Sequence, residues 1–473
     1  MRISAIDFAI ILVYLTGITL FGVRFRRSQH SLRDYFLGGR SAPWWAIASS
    51  LVATETSTLT IIGTPAIAYD GNLGFLQLVL GYLVARVILC VVLVPQYFQG
   101  EFYTAYQLLE KRFGRRIRRS AAVVFMITRA LAEGVRIAAI GKVVSVAFGT
   151  GERSSIAIVA ALTILYTFEG GMRAVIWTDV VQLVLYLTGS LVAFFLLLHK
   201  IPGGWPTVVR VAAVGGNKLR IFDFTCSLTR SYTFWSGILG GTFLTMASHG
   251  TDQTMVQRLL AARSESDGKK ALLASGIVIF VQFALFLVLG VMLFVYAQHV
   301  WLPVAGGDSD RIFPEFIVRE MPVGVTGLVL ASIFAAAMSN ASGSLNSLAS
   351  SSTIDLSDHK AARTSAQQLR RSRSATLTWG FVLGALGLAR WGHVLEAGLT
   401  VASITYGGLL GVFLLGSWNR RANQTGALLG LVVAIASMIA VWRFTPLAFT
   451  WYVLVGTLIA FSIGSLASLF LSG

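Results

Sequence analysis

Ser49-Ser-Leu-Val-Ala-Thr-Glu-Thr-Ser-Thr-Leu-Thr60, followed closely by Gly63, Thr64 and Pro65, lies inside an otherwise apolar span, residues 44–68. Five consecutive polar residues, Thr54 to Thr58, fall near its centre. Further along, the span 233–257 carries Gly240 and Gly241 and then Ser248-His-Gly-Thr-Asp-Gln253. Small and hydroxylated residues admit two readings: close packing of one membrane helix on another, or interrupted helices whose unwound backbone lines a cavity. The placement of the two spans bears on the choice. Each opens a block of five spans, 44–199 and 233–417, and an odd number per block sets the two halves in opposite orientation across a bilayer. Interrupted helices at corresponding positions of two inverted halves point to a site at the membrane midplane. Free carbonyls there suit a cation, and half-helix N-termini suit an anion.

Working outward, 55% of the 473 residues are hydrophobic and 12% charged, with mean hydropathy +0.73. A soluble protein carries roughly 25% charged residues. Apolar runs long enough to cross a bilayer, about 20 residues each, recur from Ile6 to Leu471. About thirteen spans are predicted by that criterion: 5–23, 44–68, 73–98, 120–147, 154–168, 175–199, 233–257, 271–298, 324–353, 375–390, 393–416, 424–443 and 449–471. No hydrophilic stretch is left for a separate soluble domain, so one transmembrane domain over 1–473 is expected. The run Ile6–Val23 lacks an Ala-x-Ala site and is followed by Arg24, Arg26 and Arg27, so it reads as a retained helix. The only cysteines, Cys90 and Cys226, imply no disulfide framework.

The net charge of +17 is a topology signal. One set of alternate loops holds Arg24, Arg26, Arg27, Arg33 and Arg40, then Lys111, Arg112, Arg115, Arg116, Arg118 and Arg119, then Arg173. The same side continues with Arg258, Arg263, Lys269 and Lys270, then Lys360, Arg363, Arg370, Arg371 and Arg373, and ends with Arg420 and Arg421. Positive loops face the cytoplasm, which puts the N-terminus outside and the C-terminus in the cytoplasm of a cell-membrane protein. The lipid bilayer is thus the expected environment, nucleic acid is not a partner, and no obligate protein partner is evident.

Four landmarks then resemble a known family. They are Asp34-Tyr-Phe-Leu-Gly-Gly-Arg-Ser-Ala-Pro-Trp-Trp45; Trp177-Thr-Asp-Val-Val-Gln182; Gly250-Thr-Asp-Gln253 with Val256-Gln-Arg258; and Thr405-Tyr-Gly-Gly-Leu-Leu-Gly411. Their order and spacing over 34–417 resemble the sodium/solute symporter family, which includes proline, sodium/glucose, pantothenate and sialic acid transporters. The resemblance implies an all-α, LeuT-like five-plus-five inverted repeat with one leading and two trailing helices. It also implies sodium-coupled symport of a small organic solute by alternating access.

By that resemblance a sodium ion is held by the carbonyls of Ala53 and Thr56, the carbonyl of Ala336, and side-chain oxygens of Ser339 and Asn340. Positions 336, 339, 340 and 343 share one helical face by spacing alone. Relatives place a second Ser or Thr where this chain has Asn340, whose amide brings an NH2 donor that must be placed elsewhere. A proton-coupled or sodium-independent transporter, or a membrane solute sensor, is the alternative reading. Asp179 is expected to face the protein interior, since a carboxylate in a span costs about 2.5–3.5 kcal/mol. The resemblance offers Asp179 and Ser342, with Ser339, as a candidate second sodium site, although Gly343 stands where those relatives carry a hydroxyl. The other use of Asp179 is a structural one, bonded to backbone or paired with a cation.

For the solute, Arg129, Glu133 and Arg136 share one helical face. Three charges turned to lipid would cost on the order of 7–10 kcal/mol, so that face looks inward. Glu133 neutralises one arginine and leaves the other for a carboxylate, which a guanidinium grips with two parallel bonds. An organic anion is therefore the expected solute, with Arg129 or Arg136 as its partner; a structural ion-pair network is the alternative. Ser57, Thr60, Gln77 and Gln253 complete the candidate solute contacts. Glu55 is read as a cation attractor or as a cap on the second half-helix, Asp252 as the matching cap, and Arg86 is unassigned. The six histidines show no metal spacing, so an enzyme is not expected.

Overall fold

A computed structural model of the chain describes residues 3–25, 31–151, 153–158, 171–299, 308–356, 365–389 and 394–471. The predicted span 154–168 lies largely outside the described residues. The leading helix is α1 (Ala5–Val23), and the first block contains α2 (Trp44–Glu55), α3 (Thr58–Asp70), α4 (Leu76–Val92), α5 (Arg115–Phe148) and α6 (Gly171–Lys200). The second contains α7 (Gly241–Gly250), α8 (Gln253–Leu260), α9 (Glu265–Ala297), α10 (Val325–Ser350), α11 (Ser365–Gly387) and α12 (Val394–Trp418). Two trailing helices follow, α13 (Gln424–Phe444) and α14 (Tyr452–Phe470). No strand occurs among the described residues.

Both polar interruptions are real breaks. α2 and α3 meet at 59° across Thr56 and Ser57, which are extended at φ −84°, ψ 92° and φ −99°, ψ 175°. The cause is local competition for the backbone by hydroxyl groups. The Ser57 N–H turns to the Thr60 hydroxyl at 3.3 Å, and that hydroxyl donates to the Glu55 carbonyl at 3.2 Å. Between α7 and α8 the chain unwinds at Thr251 and Asp252. The Asp252 carboxylate then caps α8 by accepting the Thr254 N–H at 2.8 Å, a use the sequence suggests.

Glycines let the broken helices approach their neighbours by backbone alone. A Cβ at Gly241 would collide with the Leu78 carbonyl of α4, and one at Gly290 of α9 with the Pro65 carbonyl of α3. The leading helix is pinned by Asp7, whose carboxylate accepts the N–H groups of Gly324 and Gly327, each at 2.7 Å. Eight described helices are long and apolar enough to cross a membrane, or nine counting the bent α2–α3 pair. α5 carries more charge, and its Arg118, Arg129 and Glu133 are buried within the protein.

Gly290→Ala is expected to destabilise the protein by about 1–3 kcal/mol, because the contact to relieve is backbone rather than a movable side chain. Gly17→Ala on α1, with nothing within 4 Å, is expected to leave the melting temperature unchanged or raise it slightly. Thermal unfolding in detergent compares the two.

Candidate solute and cation site

The two breaks face a shared cavity of about 110 Å³ lined by Glu55, Ser57, Thr60, Arg129, Arg136, His249, Asp252 and Tyr406, with Phe75, Tyr82 and Phe283 as aromatic walls. Four of the six predicted solute residues therefore line it. Gln77 and Gln253 do not. The Gln77 amide donates to the carbonyls of Gly74 and Tyr232, both at 3.1 Å, and accepts the Asp223 N–H at 2.9 Å, so it fastens the loop before the second block to α4. Gln253 accepts the Ala105 N–H at 2.7 Å and donates to the Tyr103 carbonyl at 3.1 Å, which closes the opposite end of the bundle. Both are placed in the sequence by polarity in an apolar span, which announces a partner without saying which one.

The charges of the cavity come in pairs. Arg136 Nη1 donates to Glu133 at 3.0 Å. Arg129, expected to be left over, meets Asp252 at 3.7 Å across the second break, and Asp252 also accepts the Tyr406 hydroxyl at 2.6 Å. The Arg129–Asp252 contact corrects the expectation that one guanidinium stands without a counter-charge. Among the described residues, however, Arg129 Nη2 and Arg136 Nε are buried with no hydrogen-bond acceptor, and both side chains line the cavity. The unassigned Arg86 is also explained: its guanidinium pairs with Glu55, and His249 Nε2 stands 3.3 Å from the same carboxylate. Glu55 thus joins the two broken helices rather than capping α3. Two opposite charges in adjacent spans were the available signal for that pair, since neither is tolerable alone in a membrane.

The predicted cation residues converge as a cage around a group of the chain's own. Asn340 Nδ2 lies 3.2 Å from the Ala53 carbonyl, 3.1 Å from that of Thr56 and 3.1 Å from that of Ala336. Three hard oxygens, two at the helix break and one on the facing α10, are the chemistry a sodium ion needs, but the N–H end of an amide points into them. Ser339 is turned away, its hydroxyl donating to Asp179 at 2.5 Å.

Asp179, the candidate for a second sodium, meets a counter-charge of the chain's own. It is paired with Arg258 at 3.1 Å, both fully buried at 0% exposure. Arg258 is held further by Ser50 at 2.9 Å and by the Thr254 carbonyl at 2.9 Å. Ser342 spends its hydroxyl on the Ser339 carbonyl at 3.0 Å. Gly343 has a reason here: a Cβ at that position would run into the Arg258 guanidinium.

Residues 35–434 match the sodium:solute symporter family. The chain belongs to that family. It is a multi-pass membrane transporter and not an enzyme. It is 31% identical to the sodium/sialic acid symporter of Aliivibrio fischeri over 98% of this chain and 93% of that protein. A solved structure of a sodium-coupled sialic acid symporter in a substrate-bound outward-open state superposes with TM-score 0.90 at 29% identity, covering 99% of this chain and 98% of that one. A nucleobase–cation symport family transporter in a closed conformation matches with TM-score 0.59 at 14% identity over 92% of this chain and 93% of that one. The latter likeness shows the fold, the LeuT-like one.

Asp179→Asn strands a buried guanidinium and is expected to cost about 3–5 kcal/mol of stability. Adding Arg258→Gln to it should return a large part of that loss. If Asp179→Asn left the melting temperature intact, the pair would not be structural and Asp179 would be free for a cation.

Proposed function

We propose that this transporter carries a small organic anion together with sodium, by alternating access between two inverted halves, 44–199 and 233–417, within a thirteen-span bundle. The observation that supports the anion is the pair of buried N–H groups beside the cavity, Arg129 Nη2 and Arg136 Nε, which find no acceptor among the described residues. A buried donor without a partner costs about 1–3 kcal/mol, more for a charged group, and a carboxylate removes that cost. Sialic acid, the solute of the relatives described above, is itself a carboxylate. Ser57 and Thr60, buried at the start of α3, then serve hydroxyl or carbonyl groups of the solute.

Access from one side is supported by a second cavity of about 450 Å³, lined by Asp70, Asn72, Tyr232, Asp310 and Glu396. Leu395 borders both cavities. On the far side, Asp355 accepts Thr104 at 2.6 Å and Arg118 at 2.8 Å, a buried closure next to the basic loops. The basic loops are taken as cytoplasmic, so the chain is read as a cell-membrane protein closed inward, with N-terminus outside and C-terminus in the cytoplasm.

Uptake into proteoliposomes under an inward sodium gradient, with a panel of small carboxylates, tests this reading. Arg136→Lys keeps a charge for Glu133 but loses the forked donors. It is expected to raise the KM for the acid by about 10–100-fold, on the scale of 1.4–2.8 kcal/mol, with no change in melting temperature. An equal loss with a neutral solute would argue against carboxylate recognition.

The electrical behaviour is a separate test. With Arg258 already on Asp179, one sodium per monoanion moves no net charge, so uptake should ignore an imposed membrane potential. A second sodium would make it worth about 2.3 kcal/mol per 100 mV and uptake would rise with an inside-negative potential.

A further inference from the structure

We propose that the Asn340 side-chain amide is a tethered occupant of the cation cage, and that sodium binds there only by displacing it. The inference rests on the reading that sodium drives transport, and it adds what competes with sodium for the site.

The cage owes its free oxygens to the first helix break. In a continuous helix the Ala53 carbonyl would accept the Ser57 N–H and the Thr56 carbonyl the Thr60 N–H. Here the Ser57 N–H goes to the Thr60 hydroxyl, and the Thr60 N–H goes to the Ser57 carbonyl at 2.9 Å. Two carbonyls are thereby left to find donors in a region closed to water, where a missing partner is costly. Asn340 Nδ2 reaches both, and the Ala336 carbonyl one turn back on its own helix. The orientation of the amide follows from chemistry. Turning Oδ1 inward would set four acceptors against one another with no donor or cation between them.

A cation of this size sits about 2.3–2.6 Å from its oxygen ligands, inside the space that Nδ2 fills. The two cannot share the cage. The amide is held by its donor end alone, since among the described residues Asn340 Oδ1 is buried without a partner. Such an occupant is neutral and satisfies only part of its own hydrogen-bonding capacity, so a cation can replace it. It also joins the C-terminal end of α2 to α10 in the absence of the ion, which a serine at this position, with no N–H donors in its side chain, would not do in the same way.

Three full-length proteins decide it: wild type, Asn340→Ser and Asn340→Ala, purified in sodium and exchanged into choline. Melting temperature is followed against sodium at constant ionic strength with potassium as control, alongside sodium-dependent uptake. The expected result is that both variants melt lower than wild type in choline. Both should also reach half-maximal sodium stabilisation at a concentration at least about tenfold lower, the scale of one to two net hydrogen bonds removed from competition. A wild type indifferent to sodium beside a responsive Asn340→Ser would still support the occupant, while removing sodium from the proposed function. Equal half-maximal sodium in all three would overturn the inference and leave sodium coupling standing. No response to sodium in any of them would overturn both.

Discussion

Two interrupted helices in a region closed to water leave backbone groups that must find partners within the protein, and a distinct set of buried polar side chains answers that demand. At the second break the partners are phenols: Tyr97 donates to the Gly250 carbonyl at 2.6 Å and Tyr106 to that of Thr251 at 3.1 Å. At the first, the Glu55 carbonyl takes the Thr60 hydroxyl and the Ala53 and Thr56 carbonyls take one amide. The asymmetry has a physical consequence. Phenol rings packed in the core, both fully buried, make the second break a fixed joint. At the first, the free Ala53 and Thr56 carbonyls are met by one side-chain amide of α10, so their pairing depends on what stands between α2 and α10.

The broken helices were legible in the sequence because their cause is local. A run of hydroxylated residues competes for its own backbone whatever lies around it, and the Thr54–Thr58 run and Asp252 declare this in place. The cage was legible too, through the family's motifs and the 336, 339, 340 spacing. What the sequence did not convey is which polar group answers which. Arg129 finds Asp252 more than a hundred residues away, Arg86 finds Glu55 on another helix, and Gln77 is consumed by a loop. Each partner is set by three-dimensional packing of separate helices, and composition holds no record of it.

Departures from the family's pattern were visible individually but not as a pair. Gly343 read as a lost hydroxyl and Arg258 as part of a motif; side by side they are a guanidinium and the space made for it. Asn340 read as an oxygen ligand with an NH2 donor to be placed elsewhere, whereas the carbonyls it approaches call for that donor. In both places a nitrogen-borne N–H group of the chain stands against oxygens that could otherwise face a cation.

The pairing of charges bears on why an anion would travel with a cation at all. Glu55 with Arg86, Glu133 with Arg136, Asp252 with Arg129 and Asp179 with Arg258 bring carboxylates and guanidiniums together one to one. Around this cavity, then, arginine does not create a standing positive site; it supplies spare donors against a background already balanced. On the proposed reading, an anion entering such a place would gain hydrogen bonds from Arg129 and Arg136 but bring an uncompensated charge into low dielectric, which is unfavourable without a partner. On the same reading, a sodium ion arriving at the neighbouring cage would supply that partner. Expulsion of the neutral Asn340 amide by the cation is what would convert a balanced, solute-indifferent core into one that accepts the anion. Coupling of this kind needs no direct contact between the two ligands, only that each makes the other's charge affordable.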